Sequence, residues 1–194
     1  MARGRVFPFV IFFLLMILVP SGKEIHAATK ERYTRTVENY VVPDVTLVNQ
    51  NGAKVKLRSL ISSKKVVLID FIFTTCTTIC PVLSAGFSNF QKRIGTESKD
   101  VHLVSISIDP ENDTPKRIRE YLKRYDAKPG WVFLTGTRKD IKKVLDAFDA
   151  YPIDKMYHSP LVLLHSSVAN RWVRLYGLIG TSDLIAEYEK VLGL

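Results

Sequence analysis

Val66-Val-Leu-Ile-Asp70-Phe-Ile-Phe-Thr-Thr-Cys76-Thr-Thr-Ile-Cys80-Pro81 is the stretch on which the rest of the chain turns. From Val66 to Phe73 it is almost continuously apolar, as a central strand buried on both faces requires. From Pro81 to Ile94 the pattern becomes helical, and Pro81 suits a first turn because an N–H has no intrahelical partner there. The spacing predicts a buried strand over 66–73 handing over to a helix over 81–94, with Cys80 at or near the N-cap. The only two cysteines of the chain lie on that junction.

A thiol beside a helix N-terminus sits at the positive end of the macrodipole, among unpaired N–H groups that lower its pKa from about 8.5. At i, i+4 on a helical turn, side chains share a face with their Cβ atoms about 5–6 Å apart. Two thiolates so placed can chelate one soft ion such as Cu(I) or, with slight backbone adjustment, close a disulfide. Spacing alone leaves both open. The blander readings are a structural staple or two thiols acting as small hydrophobes. So short a loop gains little entropy from closure, which argues against the staple.

Upstream, Arg3 and Arg5 precede a mostly apolar run from Val6 to Pro20, followed by small and polar residues to Ala27. This is the pattern of a secretory signal with a cleavage site at Ile25-His26-Ala27, and an uncleaved membrane anchor is the other reading. In either case the body is expected to be exported, to the periplasm or the outer face of the inner membrane. Disulfides persist there, and an exposed dithiol needs a partner to keep it reduced. Removing Arg3, Arg5 and Lys23 together with Glu24 lowers the formal charge from +9 by two, to +7. The remaining basic residues, from Lys116 to Lys143, interleave with acidic ones, so solvated helix faces are expected, with docking on an anionic membrane surface or acidic partner as the alternative. No aromatic–basic module for nucleic acid is present.

Residues 28–38 read as a flexible lead and 39–194 as the domain. Pro43 to Val48 alternates as a strand, Asn51-Gly52 marks a hairpin turn, and Lys54 to Leu57 alternates again. After the cysteine segment, Val101 to Ile108 reads as a strand ending in Asp109-Pro-Glu-Asn-Asp113-Thr-Pro115. Either Asp113 or Thr114 caps a helix from Pro115 to about Asp126, and for Asp113 a capping role is favoured over a functional one. Trp131–Thr135 is the next strand, and Thr137 caps a helix to Ala150. Two strands, Leu161–His165 and Arg171–Tyr176, precede a last helix capped by Thr181 or Ser182 and running to about Leu192. A hairpin, two βα units joined by parallel crossovers, a second hairpin and a terminal helix predict an α/β, thioredoxin-like fold with an N-terminal β-hairpin and added loops.

Two sulfurs leave copper short of donors, and imidazole is a common further ligand. Of the four histidines, His26 falls at the cleavage site, while His102 opens a strand and His165 closes one, which suits structural roles. His158 stands apart in the irregular segment before Leu161, which in a thioredoxin-like domain passes beside the cysteine loop. Met156 reads as packing, with a thioether ligand as the alternative. Asp70 is a charge in an apolar run. It either alternates towards solvent or is a buried carboxylate of the kind that moves protons at the cysteines of thioredoxin-like folds, at a cost of several kcal/mol unless paired.

Cys76-Thr-Thr-Ile-Cys80-Pro81, the segment Ile108 to Pro115, and His158 before the Leu161 strand occur together in this order. From about Asn39 to Leu194 the chain resembles the Sco/SenC family of copper-binding, thioredoxin-like assembly proteins. The resemblance implies copper bound by Cys76, Cys80 and His158, and delivery to a respiratory copper enzyme such as cytochrome c oxidase. It also implies a thiol–disulfide role. Asp109 and Asp113 resemble the family's acidic segment, where a carboxylate such as Asp109 orients a ligand or affects docking; their blander roles are a strand-end turn and a helix cap. Many members carry Pro-Asp after the first cysteine, and this chain has Thr77-Thr78, so no carboxylate lies inside the loop. Pro160 falls near where thioredoxins place a cis-proline, and a trans bond is the default expectation.

Two functions follow from these residues. The first is a metallochaperone that carries copper and releases it by ligand exchange. The second is an oxidoreductase in which Cys76 and Cys80 are the catalytic pair that reduces the cysteines of a partner's copper site, itself recharged by a thioredoxin-like reductant. A peroxidase would need a proline–threonine–cysteine pattern and an activating arginine, which the surroundings of Cys76 lack.

Overall fold

The computed structural model describes Met1, residues 33–150 and residues 159–193. The expected leader beyond Met1, Met156 and His158 lie outside the described residues. The strands are β1 (Tyr33–Glu38), β2 (Thr46–Asn49), β3 (Lys54–Lys56), β4 (Val66–Ile72), β5 (Val101–Ser107), β6 (Trp131–Thr135), β7 (Leu161–Ser166) and β8 (Arg171–Gly177). The helices are α1 (Leu57–Ile61), α2 (Cys80–Ile94), α3 (Pro115–Arg124), α4 (Arg138–Ala147) and α5 (Thr181–Leu192), with a 3₁₀ stretch at Gly95–Asp100. One sheet holds the strands in the order β1-β8-β7-β4-β5-β6-β2-β3. Strands β4, β5 and β6 run parallel, and the other pairings are antiparallel.

The apolar run in β4 is explained by cover on both faces. Val66, Leu68 and Ile72 pack with Phe87 and Phe90 of α2, Tyr121 of α3 and Tyr188 of α5. Val67, Ile69 and Phe71 pack on the other side with Leu57 and Ile61 of α1 and Val144 and Phe148 of the α4 region. Leu68 and Ile69, fully buried on opposite faces, each contribute about 2 kcal/mol through burial. The result is a three-layer α/β/α domain of thioredoxin-like architecture.

The N-terminal hairpin forms as expected. Gly52 takes φ +79°, which its missing Cβ permits, and the Asn49 side chain accepts hydrogen bonds from the Asn51 and Ala53 N–H groups. Four expectations need correction. Residues 33–38, read as part of a flexible lead, form β1 and pair with β8 along their length. The segment ending at Leu57 stops as a strand at Lys56, because Leu57 turns into α1 and is buried. Asp113 is not the cap of α3: Thr114 is, accepting from the Arg117 N–H. Neither Thr181 nor Ser182 caps α5, whose N-cap is Gly180. Among the described residues no peptide bond is cis, so the Ser159–Pro160 bond is trans.

The junctions β4–α2, β5–α3 and β6–α4 all open at the carboxyl ends of the three parallel strands. That edge is where α/β sheets commonly bind ligands.

Candidate functional site

Beyond Ile72 the chain leaves the sheet and turns tightly, the Cys76 N–H donating to the Phe73 carbonyl at 3.2 Å. It enters α2 with Ile79 as N-cap and Pro81 in the first turn, so Cys80 is the first helical residue. Cys76 retains 7% exposure and Cys80 none, and no disulfide joins them in this structure. Cys76 is therefore the more open residue of the pair.

The two thiols are pulled in opposite directions. Burial alone would raise Cys76, but the backbone N–H of Cys80, the Thr78 hydroxyl, the Cys80 thiol and the Thr78 N–H all donate towards its sulfur, and its pKa ends below the ordinary thiol value. Thr78 Oγ1 lies 3.5 Å from Cys76 Sγ. Burial drives Cys80 far upward; the Phe73 N–H opposes this, while negative charge at Cys76 and Asp70 adds to it. The helix-start effect expected at Cys80 is thus spent on Cys76. Cys80 contributes its N–H to its neighbour's sulfur while its own side chain is sealed in the core.

Asp70 lies inside the core and does not face solvent. It shares the strand face of Leu68 and Ile72, the face covered by α2, and it is fully buried. Burial pushes its pKa up to about 7, against weaker pulls from the Ser105 hydroxyl and the backbone. Ser105 is its register partner on β5 and accepts a hydrogen bond from Trp131 Nε1 at 3.0 Å. Neither Asp70 oxygen completes a hydrogen bond among the described residues. Tyr121 of α3 also couples electrostatically to Cys80, its hydroxyl 2.7 Å from Ser84 Oγ.

Asp113 ties the cysteine loop to the next βα junction. Thr74 donates to its Oδ1 through both N–H (3.0 Å) and hydroxyl (2.6 Å), and the Ser107 hydroxyl donates to Oδ2 at 2.5 Å. Burial raises the Asp113 pKa, these donors oppose the rise, and nearby Asp109 adds to it. Asp109 stays in its own turn, accepting from Asn112 Nδ2 at 3.2 and 3.0 Å while its N–H donates to Ser107 Oγ.

The structure therefore brings Cys76, Cys80 and Asp70 together, with Asp113 holding the loop from the side. His102 and His165 are not part of this cluster. Both pair with Val67, at the opposite end of β4, and His165 stacks on Trp172 at 4.4 Å. Thr74, Thr78, Ser105, Ser107 and Tyr121 were not singled out from sequence. Threonine at 74 with serine at 107 is the only visible hint that the segment around Asp113 has donors waiting for it. Two sulfurs at one helix start, one of them with its pKa lowered, suit a soft monovalent cation; hard cations prefer oxygen.

A family model described as SCO1/SenC matches residues 34–188. The SCO1 protein homolog of Bacillus subtilis is 44% identical over 99 residues, which covers 50% of this chain and 50% of that protein. The chain spans about half the length of the first curated relatives it matches. Among solved structures, BsSco, a Sco-family cytochrome c oxidase assembly protein with an identified disulfide switch, superposes with a TM-score of 0.68 at 32% identity, covering 83% of this chain and 98% of that one. Arabidopsis thaliana ScoI with copper bound gives 0.65 at 27% identity, over 78% and 98%.

Proposed function

The chain belongs to the SCO1/SenC family, and from that premise we propose that it takes up copper as cargo through Cys76 and Cys80, with His158 as third ligand, and hands it to a respiratory copper enzyme such as cytochrome c oxidase during assembly. The observation that carries the reading is the pairing of a thiol already lowered, Cys76, with a second thiol at the same helix start. Cys76 makes first contact. Cys80 completes the sulfur pair once its proton leaves, since only thiolates ligate. Asp70, with a pKa near 7 and coupled to Cys80, is a buried group able to accept that proton. The apolar, charge-flanked leader supports export, with the domain working outside the cytosol, cleaved free or tethered.

A second reading is favoured by the same asymmetry. Cys76 as thiolate attacks a disulfide in the partner's copper site and forms a mixed disulfide, releasing one partner thiolate. Cys80, deprotonated, then attacks Cys76 Sγ and releases the second, leaving a Cys76–Cys80 disulfide for a thioredoxin-like reductant to reset. The two readings separate in an anaerobic Cu(I) titration of the reduced protein against a competing chelator. Tight one-to-one binding, weakened by His158→Ala and lost in Cys76→Ser/Cys80→Ser, supports the chaperone. Binding no better than in the double serine variant removes the copper reading and leaves the redox couple.

A further inference from the structure

Strand β8 carries Arg174 and Tyr176 two positions apart and so on one face of the sheet, and each engages a different end of the segment that leads from α4 to β7. At the entrance, α4 ends in a left-handed turn. Asp149 takes φ +50°, and the Ala150 N–H reaches back to the Leu145 carbonyl at 2.8 Å. L side chains rarely adopt that backbone, so the surroundings must hold it. Arg174 does so: its Nη1 donates to the Phe148 carbonyl and the Tyr40 hydroxyl, both at 3.0 Å, and its Nη2 donates to the Asp149 carbonyl at 3.1 Å. At the exit, the Tyr176 hydroxyl donates to Ser159 Oγ at 2.7 Å, and the Gly177 N–H donates to the Pro160 carbonyl at 2.9 Å. The two side chains also meet each other, with the Arg174 guanidinium 5.9 Å from the centre of the Tyr176 ring.

Helix capping accounts for part of this arrangement, because a cation at the last carbonyls of α4 offsets the negative end of the helix. It does not account for Tyr176. That side chain is exposed, so its hydroxyl has water available, yet it is bonded to the residue that follows His158 in the chain. The two anchors stand about 7 Å apart along β8, and residues 150–158 run between them. The register places the exit anchor beside the cysteines. Val162 of β7 pairs with Asp70 of β4, and Ser159 and Phe73 each lie three residues beyond that antiparallel pair, at the same edge of the sheet. The residue that precedes Ser159 is therefore delivered to the edge from which the cysteine loop springs.

We infer that Arg174 and Tyr176 are positioning residues for His158: they clasp both ends of its segment to β8 and so set the third copper ligand. The inference rests on the copper reading proposed above. A ligand on a segment tethered at one end must be ordered when the metal binds, and that cost weakens binding; tethering both ends meets part of the cost in the empty protein. Arg174 suits the entrance because its planar fork spans two successive carbonyls, which a lysine ammonium cannot do in the same geometry.

The test makes two measurements on the reduced full chain. In the metal-free protein, amide hydrogen exchange should quicken about threefold or more at Ala150 in Arg174→Ala and at Gly177 in Tyr176→Phe. In an anaerobic Cu(I) titration against a competing chelator, Arg174→Ala should weaken binding about tenfold, the scale of residues that orient a metal ligand, and Tyr176→Phe about threefold, the scale of one hydrogen bond. Arg174→Lys should fall between Arg174→Ala and wild type. In a His158→Ala background neither change should weaken binding further, an outcome that a merely structural cap would not produce. Equal losses in both backgrounds, copper affinity unchanged by the Arg174 and Tyr176 variants, or exchange unchanged at both amides overturns the inference and leaves the copper reading standing. If His158→Ala alone leaves copper affinity unchanged, the third-ligand reading fails and this inference falls with it. The Tyr176 hydroxyl is removed from an exposed side chain, so that variant keeps the test decisive if Arg174→Ala disturbs folding.

Discussion

Replacing Asp70 by asparagine keeps the shape of the side chain and removes its titration. In the native protein the carboxyl is fully buried, and its pKa is pushed from 3.8 up to about 7. In the unfolded chain it ionises at the ordinary value. Between those limits the native state holds a proton that the unfolded state has lost, so stability falls as pH rises. The contribution is fully present below about pH 4, drains away towards about pH 7, and is flat above that. At about 1.4 kcal/mol per tenfold change in proton affinity, the interval from 3.8 to about 7 amounts to about 4 kcal/mol. The expected result is a stability difference, Asp70→Asn minus wild type, that grows by up to about 4 kcal/mol between about pH 4 and pH 8. The new amide adds only a constant offset. Urea unfolding of the reduced, metal-free protein at several pH values, followed by tryptophan fluorescence, measures it. A difference constant with pH to within about 1 kcal/mol would mean that Asp70 ionises like an exposed aspartate, and the account of the buried carboxyl would be wrong.

Iodoacetamide should modify Cys76 first, with a pH midpoint below that of an ordinary thiol, while Cys80 reacts only on unfolding; peptide mass mapping reads the order, and the reverse order refutes the assignment. Asp113→Ala strands the Thr74 N–H, the Thr74 hydroxyl and the Ser107 hydroxyl, and should cost about 3 kcal/mol in urea unfolding while the Thr74 and Cys76 amides lose protection from hydrogen exchange. A loss below about 1 kcal/mol would show the loop is held by other contacts. Starting the chain at Asn39 removes β1 and the 2.6 Å Arg35–Glu187 contact to α5, and should lower Tm by about 6–12 °C relative to a chain starting at Glu31, the effect of about 3 kcal/mol in a domain of this size.

The elements that were legible in the sequence are those whose burial imposes a period. β4 could be read because both of its faces are covered, and α3 and α4 because one face of each is. The same property hid the orientation of Asp70: where both faces are buried, alternation does not distinguish inside from outside, so a solvent-facing aspartate had no solvent to face. β1 was missed for the opposite reason. Thr34, Arg35, Thr36 and Val37 are exposed at a sheet edge, and the strand is held by backbone pairing with β8 and by Arg35 on Glu187, a partner far along the chain. Asp113 and Thr114 were equivalent as caps from spacing. What separates them is Thr74, which lies in the preceding loop and takes up the Asp113 carboxylate before it could cap anything.

The cysteines show most clearly what local reasoning could not supply. A helix start lowers the pKa of whichever sulfur its N–H groups reach, and in this turn they reach the residue four positions earlier. The helix residue itself is left protonated in the core beside a carboxyl that is half-protonated near neutral pH. On the copper reading, this asymmetry opposes very tight retention. Filling the site must expel the Cys80 proton, so affinity rises with pH by up to about tenfold per unit while that thiol is protonated in the empty site. Returning the proton weakens the hold on the metal. A carrier with two equally lowered thiols would bind more tightly at neutral pH and give up its cargo less readily. Burying one thiol next to Asp70 keeps release within reach of a proton transfer inside the fold, and leaves Cys76, the accessible sulfur, to face the ligands of the acceptor.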